Sequence, residues 1–503
     1  MAKSSTPAPT FDVWRQRAAE LSIRSQAFID GAFTDAIGGK RFDCVSPIDG
    51  KVIAQVAECG AADIDRAVAA ARKAFEDRRW AGLPPARRKA VMLAFANLVQ
   101  DHAQELALLE TLDMGKPISD AVAVDSAATA RCIRWYGEAI DKLYDEIAPT
   151  GDDSIATITR EALGVVGVVV PWNFPMIMAA WKIAPALAAG NSVVLKPAEQ
   201  SPLSALRLAE LAAEAGIPAG VFNVVPGFGP VAGKAIGLHG DVDGAFFTGS
   251  TEVGKLFLQY SGQSNMKRIG LECGGKSAHI VLDSCSDLEA AAQAAAGAIF
   301  FNQGEMCTAG SRLVLHRAIK DKVVERVAEL AAVYQPGHPL NPATTMGALV
   351  DEHHARRVMS YVEAGKADGA RLVTGGKRAL EETGGSYILP TVFDNVTPSM
   401  RIAREEIFGP VLSVITVDSV DEAVHVANDS EYGLAAAVWS DDVNVLHKVT
   451  RRLRAGVVYA NCYDADDITV PFGGFKQSGI GRDKSLHAFD KYTELKSTWL
   501  RLR

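Results

Sequence analysis

The chain has 503 residues, more than one ordinary core holds, so two or three domains are expected. Apolar residues make up 48% and charged residues 22%, the balance of a folded globular protein and not of a disordered one. A net charge of −8 with no Lys/Arg-dense block argues against nucleic acid or membrane as partner and leaves small molecules as the default ligands.

The opening MAKSSTPAPT has no apolar stretch of signal-peptide type. The longest apolar region, around 176–195, is broken by Lys182, Pro185, Gly190 and Asn191, so a cytoplasmic protein is expected. Residues 63–76 (DIDRAVAAARKAFE) carry the helical spacing Ile64, Ala67, Val68, Ala71, Phe75, with Asp63 as the expected N-cap. Residues 139–162 alternate like a strand (ATITREAL at 156–163), as does the closing YTELKSTWLRL. The two either pair into an oligomerisation arm or pack as edge hairpins on the chain's own body.

Short β-branched runs at 164–170, 192–195 and 221–225, with helical stretches such as 203–215 between them, predict a parallel α/β sheet. The alternation returns after residue 277 with AHIVL, an Ala-rich helix at 287–299 and RLVLH at 312–316, predicting a second α/β unit. Seven cysteines (44, 59, 132, 273, 285, 307, 462) lie scattered without CxxC pairs, so neither a disulfide framework nor a metal site is expected, and a reducing compartment fits.

GLECGGKS (270–277) satisfies the phosphate-loop pattern, but strand-like AHIVL follows where that loop must open a helix. GFGPVA (227–232) and FTGSTEVG (247–254) each follow an apolar run and read either as dinucleotide-binding turns or as ordinary tight turns. Cys307, in FFNQGEMCTAGSR, reads alone as a small core residue or as a nucleophile. Two companions favour the nucleophile. Glu272 sits among apolar residues and glycines, a setting that raises a carboxylate pKa and suits a general base. The amide of Asn173 lies between Trp172 and Phe174 in PWNFP and suits an oxyanion donor. His353 and His354 read as a solvated helix surface.

PWNFP (171–175), KPAEQSP (196–202), FTGSTEVG (247–254), LECGGKS (271–277), NQGEMC (302–307), EEIFGPV (405–411) and PFGGFKQSG (471–479) occur in the order found in the aldehyde dehydrogenase superfamily. The chain resembles that superfamily from about residue 25 to its C-terminus. Within it, QPGHPLNPATTMG (335–347) and GRDKSLHAFDKYTELKSTW (481–499) look most like bacterial oxidisers of γ-glutamyl-γ-aminobutyraldehyde or guanidinobutyraldehyde.

The resemblance implies an α/β fold: a modified Rossmann NAD-binding domain (1–138 and 163–274), an α/β catalytic domain (275–477) and a small β oligomerisation arm (139–162 and 485–503). It implies Cys307 as nucleophile, Glu272 as base, Asn173 with the Cys307 N–H as oxyanion hole, and Lys182 as a further catalytic residue. NAD would meet Val170, Pro171, Trp172, Lys196, Glu199, Gly229, Phe247, Gly249, Ser250, Val253, Glu406 and Phe408, with Lys196 and Glu199 on the adenosine ribose. Phe174, Met178, Trp181, Phe301, Asp466 and Phe472 would line the substrate tunnel.

The implied activity is NAD-dependent oxidation of an aldehyde, an ω-amino- or guanidino-aldehyde of polyamine catabolism or, alternatively, a broad range of aliphatic or aromatic aldehydes. A homodimer or homotetramer is implied as well. Relatives that pass the acyl group to coenzyme A generally lack the glutamate, so Glu272 favours hydrolysis.

Two positions depart from the family pattern. Glu305 stands where Gln is usual and adds a potential charge expected to raise the thiol pKa; Leu349 stands where some relatives place Gln near the ribose. Asp464, Asp466 and Asp467, with Asp125 from another segment, are read either as a cation-attracting tunnel mouth or as solvated loop acids.

Overall fold

Val165–Val169, Ser192–Lys196, Phe222–Val224, Gly244–Thr248 and Arg268–Glu272 form the parallel centre of an eight-stranded sheet. They are short and buried along their length up to the last, as strands covered by helices on both faces must be. The computed structural model describes residues 9–503; the reading of residues 1–8 as part of a chain start without a leader lies outside the described residues.

The first of these strands to form in the chain, Val165–Val169, pairs with Ser192–Lys196 on one side and Gly244–Thr248 on the other, so the winding direction reverses there. Loops at the carboxyl ends of such strands diverge and leave a crevice. Val170–Phe174 and Gly249–Ser250 are those loops, and Glu272 ends the neighbouring strand, registered opposite Thr248.

A seven-stranded sheet follows, with Arg312–His316 at its middle and Ala278–Val281 between it and Ala435–Trp439. GLECGGKS thus runs from one strand into another and opens no helix. Thr493–Arg501 pairs antiparallel with Ser154–Ala162 over nine positions, from Thr493 opposite Ala162 to Arg501 opposite Ser154, and Glu146–Ala148 completes this small third sheet. Its outward residues include Leu495, Trp499 and Leu500, all more than half exposed.

Some local expectations are corrected. The helix Ala61–Glu76 is capped by Gly60; Asp63 sits three residues in and accepts the Gly60 N–H at 3.0 Å, closing the box from the other side. GFGPVA leads into a wide turn, Gly229–Gly233, and a helix of only five residues. FTGSTEVG opens the helix Thr251–Gln263, with Ser250 accepting from the Val253 N–H at 3.3 Å. Among the described residues no helix is long and apolar enough to cross a membrane.

Candidate active site

Asn302, Gln303 and Gly304 all have positive φ (48°, 56° and 72°), a run of left-handed residues just after the helix Leu288–Phe300. Such backbone is held only by its surroundings. A Cβ on Gly304 would stand 2.3 Å from the Gly409 carbonyl oxygen, so no other residue fits there. The Asn302 amide donates to the carbonyls of Asn173 (3.1 Å) and Glu305 (3.2 Å), Gln303 accepts the Gly347 N–H (2.8 Å), and Tyr463 donates to the Thr308 carbonyl (2.6 Å). This framework presents Cys307 to a cavity of about 500 Å³.

Asn173 Nδ2 donates one hydrogen to the Glu305 carbonyl at 2.8 Å, which fixes the amide and leaves its second hydrogen for the cavity. The Cys307 backbone N–H has no acceptor among the described residues. Glu272 lies on the same cavity, buried, with neither carboxylate oxygen hydrogen-bonded. Burial, then the neighbouring charge of Asp483, holds its pKa well above the usual carboxylate range, while Lys182, Lys491 and Arg482 oppose the rise. Burial also pushes the Cys307 thiol up, helped by Glu406, Glu272 and Asp464 and opposed by the Thr308 N–H. Nucleophile and carboxyl both hold their protons at rest, so turnover requires proton movement inside the site.

Around Cys307 the cavity lining falls into two sets of residues. One is aromatic, made of Phe174, Trp181, Phe301 and Phe472, with Trp181 and Phe472 packed at 5.0 Å between ring centres. The other is made of Trp172, Thr248, Gly249, Ser250, Glu406 and Phe408, toward the crevice between diverging strands. There Trp172 meets Phe408 edge-on at 5.2 Å, and Glu406 accepts the Gly275 N–H at 2.9 Å. A thiol between an apolar tunnel and a dinucleotide-type crevice, with a carboxyl and two N–H donors at the junction, suits covalent oxidation of a carbonyl compound.

Comparison with known proteins decides the family. Residues 33–498 match the model of the aldehyde dehydrogenase family. The chain is an aldehyde dehydrogenase by family.

The chain is 51% identical over 489 residues to the NADP/NAD-dependent aldehyde dehydrogenase PuuC of Escherichia coli, covering 97% of this chain and 98% of that one. It is 61% identical to the solved γ-glutamyl-γ-aminobutyraldehyde dehydrogenase of Burkholderia cenocepacia, with a TM-score of 0.97, covering 98% of this chain and 100% of that one. It is 59% identical to a mutant of the P. syringae indole-3-acetaldehyde dehydrogenase AldA solved with NAD+ and IAA, with a TM-score of 0.98 and the same coverage.

The aldehyde dehydrogenase resemblance placed Cys307, Glu272 and Asn173 together, and the three share one cavity with Phe174, Met178, Trp181, Phe301, Asp466 and Phe472. Of the cofactor residues, Pro171, Trp172, Gly249, Ser250, Glu406 and Phe408 line it. Val170, Lys196, Glu199, Gly229, Phe247 and Val253 do not. Lys196 is buried and paired with Glu199 at 2.6 Å, at the end of the strand next to Val170. Phe247 packs into the core against Phe257, so its ring is not a surface for ligand. Lys182 stands outside the cavity, bound to Asp483.

Three expectations about charge are overturned. Asp125 is fully buried and held by Lys116 at 2.5 Å, so it does not reach the tunnel mouth. Glu305 is buried too, accepts the Val350 N–H at 3.0 Å, and is kept protonated chiefly by burial, so it sets no charge on the thiol. His354 is buried, with its Nε2 at 2.6 Å from the Phe408 carbonyl, and does not face solvent. Asp466 lines the mouth already bonded to Lys484, and Asp467 bonds Thr469 outside the cavity. Leu349 is buried in the core and offers the crevice no polar group.

Val124, Ala127, Ala128 and Arg131 also line the tunnel and were not singled out in the sequence. Their spacing is that of one helix face, a signal the sequence contains, but the wide turn Ala121–Ser126 that swings Val124 inward carries none.

Proposed function

We propose that this aldehyde dehydrogenase oxidises ω-amino aldehydes, free or acylated at nitrogen, to carboxylic acids with NAD, by way of a thioester on Cys307. The observation that carries this is the junction where the thiol of Cys307, the Asn173 amide and the unpartnered carboxyl of Glu272 face one cavity.

The crevice fits a dinucleotide. The N-terminus of the helix Thr251–Gln263 lies at the strand-order switch, where a pyrophosphate is stabilised by free N–H groups and the helix dipole. Thr248 Oγ1 is buried there without a partner. Val231, Val253 and Leu256 leave apolar surface exposed beside it, suited to an adenine ring. Lys196 and Glu199 would hold ribose hydroxyls, and Glu406 those of the second ribose. Bound in this way, the dinucleotide supplies the acceptor for the hydride that leaves the aldehyde carbon.

The protein's own groups do the rest. Cys307 Sγ adds to the carbonyl carbon as its proton passes to solvent through the open cavity. The oxygen's new charge meets Asn173 Nδ2–H and the Cys307 N–H, donors already oriented, so little reorganisation is needed. Once the Sγ-bound carbon is oxidised to the thioester level, Glu272 takes a proton from water, which attacks the acyl carbon. The acid departs and the thiol returns. A buried carboxyl that holds its proton at rest needs help to act as base, and Lys182, Lys491 and Arg482 supply it.

The substrate class rests on the names of two relatives, the solved γ-glutamyl-γ-aminobutyraldehyde dehydrogenase of Burkholderia cenocepacia and the aminoacetaldehyde dehydrogenase of Pseudomonas aeruginosa, and on a polar mouth of Arg131, Asp464 and Asp466. A second reading, aromatic aldehydes, is favoured by the four rings of the tunnel and by the indole-3-acetaldehyde relative. NADH appearance at 340 nm across aminoacetaldehyde, 4-aminobutyraldehyde, its γ-glutamyl amide, indole-3-acetaldehyde and hexanal separates the two. The first reading requires the highest kcat/KM on an amino aldehyde. The highest value on the indole substrate supports the second, and no NADH with any aldehyde rejects both.

The exposed apolar residues on Thr493–Arg501 support its use as a contact between copies in a homodimer or homotetramer. The seven free cysteines support a reducing compartment such as the cytoplasm.

A further inference from the structure

Behind Glu272 lie three more charged side chains, all buried. Asp483 accepts from Lys182 on one oxygen and from Lys491 on the other. Lys182 belongs to the long helix after Asn173, Pro175–Ala189; Lys491 comes from Phe489–Tyr492, near the other end of the chain. The second lysine reaches Asp483 through a passage cleared for it. A Cβ on Gly481 would stand 2.9 Å from Lys491 Cδ, and one on Gly270 would stand 3.2 Å from it. Asp483 is fixed in turn by paired backbone bonds with Phe472 of the tunnel wall, at 2.8 and 2.7 Å.

One ammonium would satisfy Asp483, so the second needs a reason. With Lys182 alone, the buried group Lys182, Asp483 and Glu272 is neutral while Glu272 keeps its proton and carries one net negative charge when Glu272 loses it. With Lys491 added, the ionised state becomes the neutral one. An uncompensated charge at this depth is strongly disfavoured, so the fourth member decides whether Glu272 can ionise at all. The other groups around the cluster do not do this: Cys307 and Cys273 beside Glu272, and Cys132, Tyr136 and Tyr492 around Asp483, are raised by burial and stay uncharged, and Arg482, the one other cation acting on Glu272, is only half-buried, so solvent screens its charge where that of a buried ammonium is not screened.

We propose that Lys491 is a positioning residue for the base: by clamping Asp483 opposite Lys182, it completes the charge balance that lets Glu272 lose its proton to solvent before thioester hydrolysis and so take one from the attacking water. Lys491 does not line the cavity and touches no substrate. The inference rests on Glu272 acting as the deacylation base.

The test is the pH dependence of steady-state kcat in wild type, Lys491→Met and Lys491→Arg, each divided by the amplitude of its NADH burst so that only folded, acylating sites are counted. Lys491→Met is expected to move the rising limb of the profile to higher pH by about one unit or more. Lys491→Arg, which keeps the charge, is expected to stay near wild type. An unmoved limb in Lys491→Met overturns the proposal and leaves Lys491 a packing residue. An equal move in both variants overturns it as well, since charge is then not the cause. Failure of the underlying reading shows separately, as undiminished steady-state turnover in Glu272→Gln.

Discussion

Asn173 Nδ2 donates to the Glu305 main-chain carbonyl at 2.8 Å, so the oxyanion donor is anchored to the turn that carries the nucleophile. Moving that turn moves both partners together. Asn173→Ala removes one donor and leaves the thiol in place; the expected loss is roughly 10²–10³ in kcat. The check is single-turnover NADH formation at saturating substrate. A rate within threefold of wild type would contradict the role.

Glu199 is paired with Lys196 at 2.6 Å and is expected to accept from the 2′-OH of the adenosine ribose. The same carboxylate repels a 2′-phosphate, but Lys196 offsets part of its charge. Glu199→Gln is therefore expected to raise the NADP-to-NAD ratio of kcat/KM roughly 5- to 30-fold, from about 1–2 kcal/mol of relieved repulsion. Kinetics with both dinucleotides measure it; an unchanged ratio removes Glu199 from the ribose site.

Lys116 Nζ lies 3.8 Å from the centre of the Phe174 ring and also binds Asp125 and Glu110, all buried. This ties a tunnel wall to the wide turn that carries Val124. Lys116→Met strands two buried acids, at an expected cost of about 3–5 kcal/mol. Adding Asp125→Asn is expected to recover part of the lost melting temperature. If the double variant melts no higher than the single one, charge compensation is not what Lys116 supplies.

Burial pushes His354 down to about 4, against an ordinary value near 6.5, so the fold holds it neutral. The depressed group contributes stability that is fully present above about pH 6.5 and is lost as pH falls through 4. Buried acids such as Glu305 shift the opposite way, so the comparison is differential. In urea unfolding, the advantage of wild type over His354→Gln is expected to shrink by about 1.4 kcal/mol per pH unit across that window. A difference independent of pH would show that His354 is not held neutral.

The parallel strands were legible because buried β-branched runs have few other uses, and FTGSTEVG was legible because its Ser caps a long helix. Cys307, Glu272 and Asn173 were found through motif order; no spacing rule brings residues 173, 272 and 307 together. Charge states were the least legible. In the sequence Asp125 reads with the acids of the tunnel mouth, Glu305 as a charge beside the thiol and His354 as a solvated helix residue, because their partners, Lys116, the Val350 N–H and the Phe408 carbonyl, are set by tertiary packing. Lys491 is hidden for the same reason: nothing local marks its bond to Asp483 or the space left by Gly270 and Gly481.

The central claim is that substrate carbon becomes bonded to Cys307 and that Glu272 is needed to release it. Intact-mass and peptide mapping of Glu272→Gln, mixed with aldehyde and NAD and quenched in acid, tests it most directly. The account predicts an adduct of acyl mass, two hydrogens lighter than the aldehyde adduct, located on Cys307 and absent from the double variant with Cys307→Ala. An adduct on another residue, or none while NADH is still formed, would contradict it.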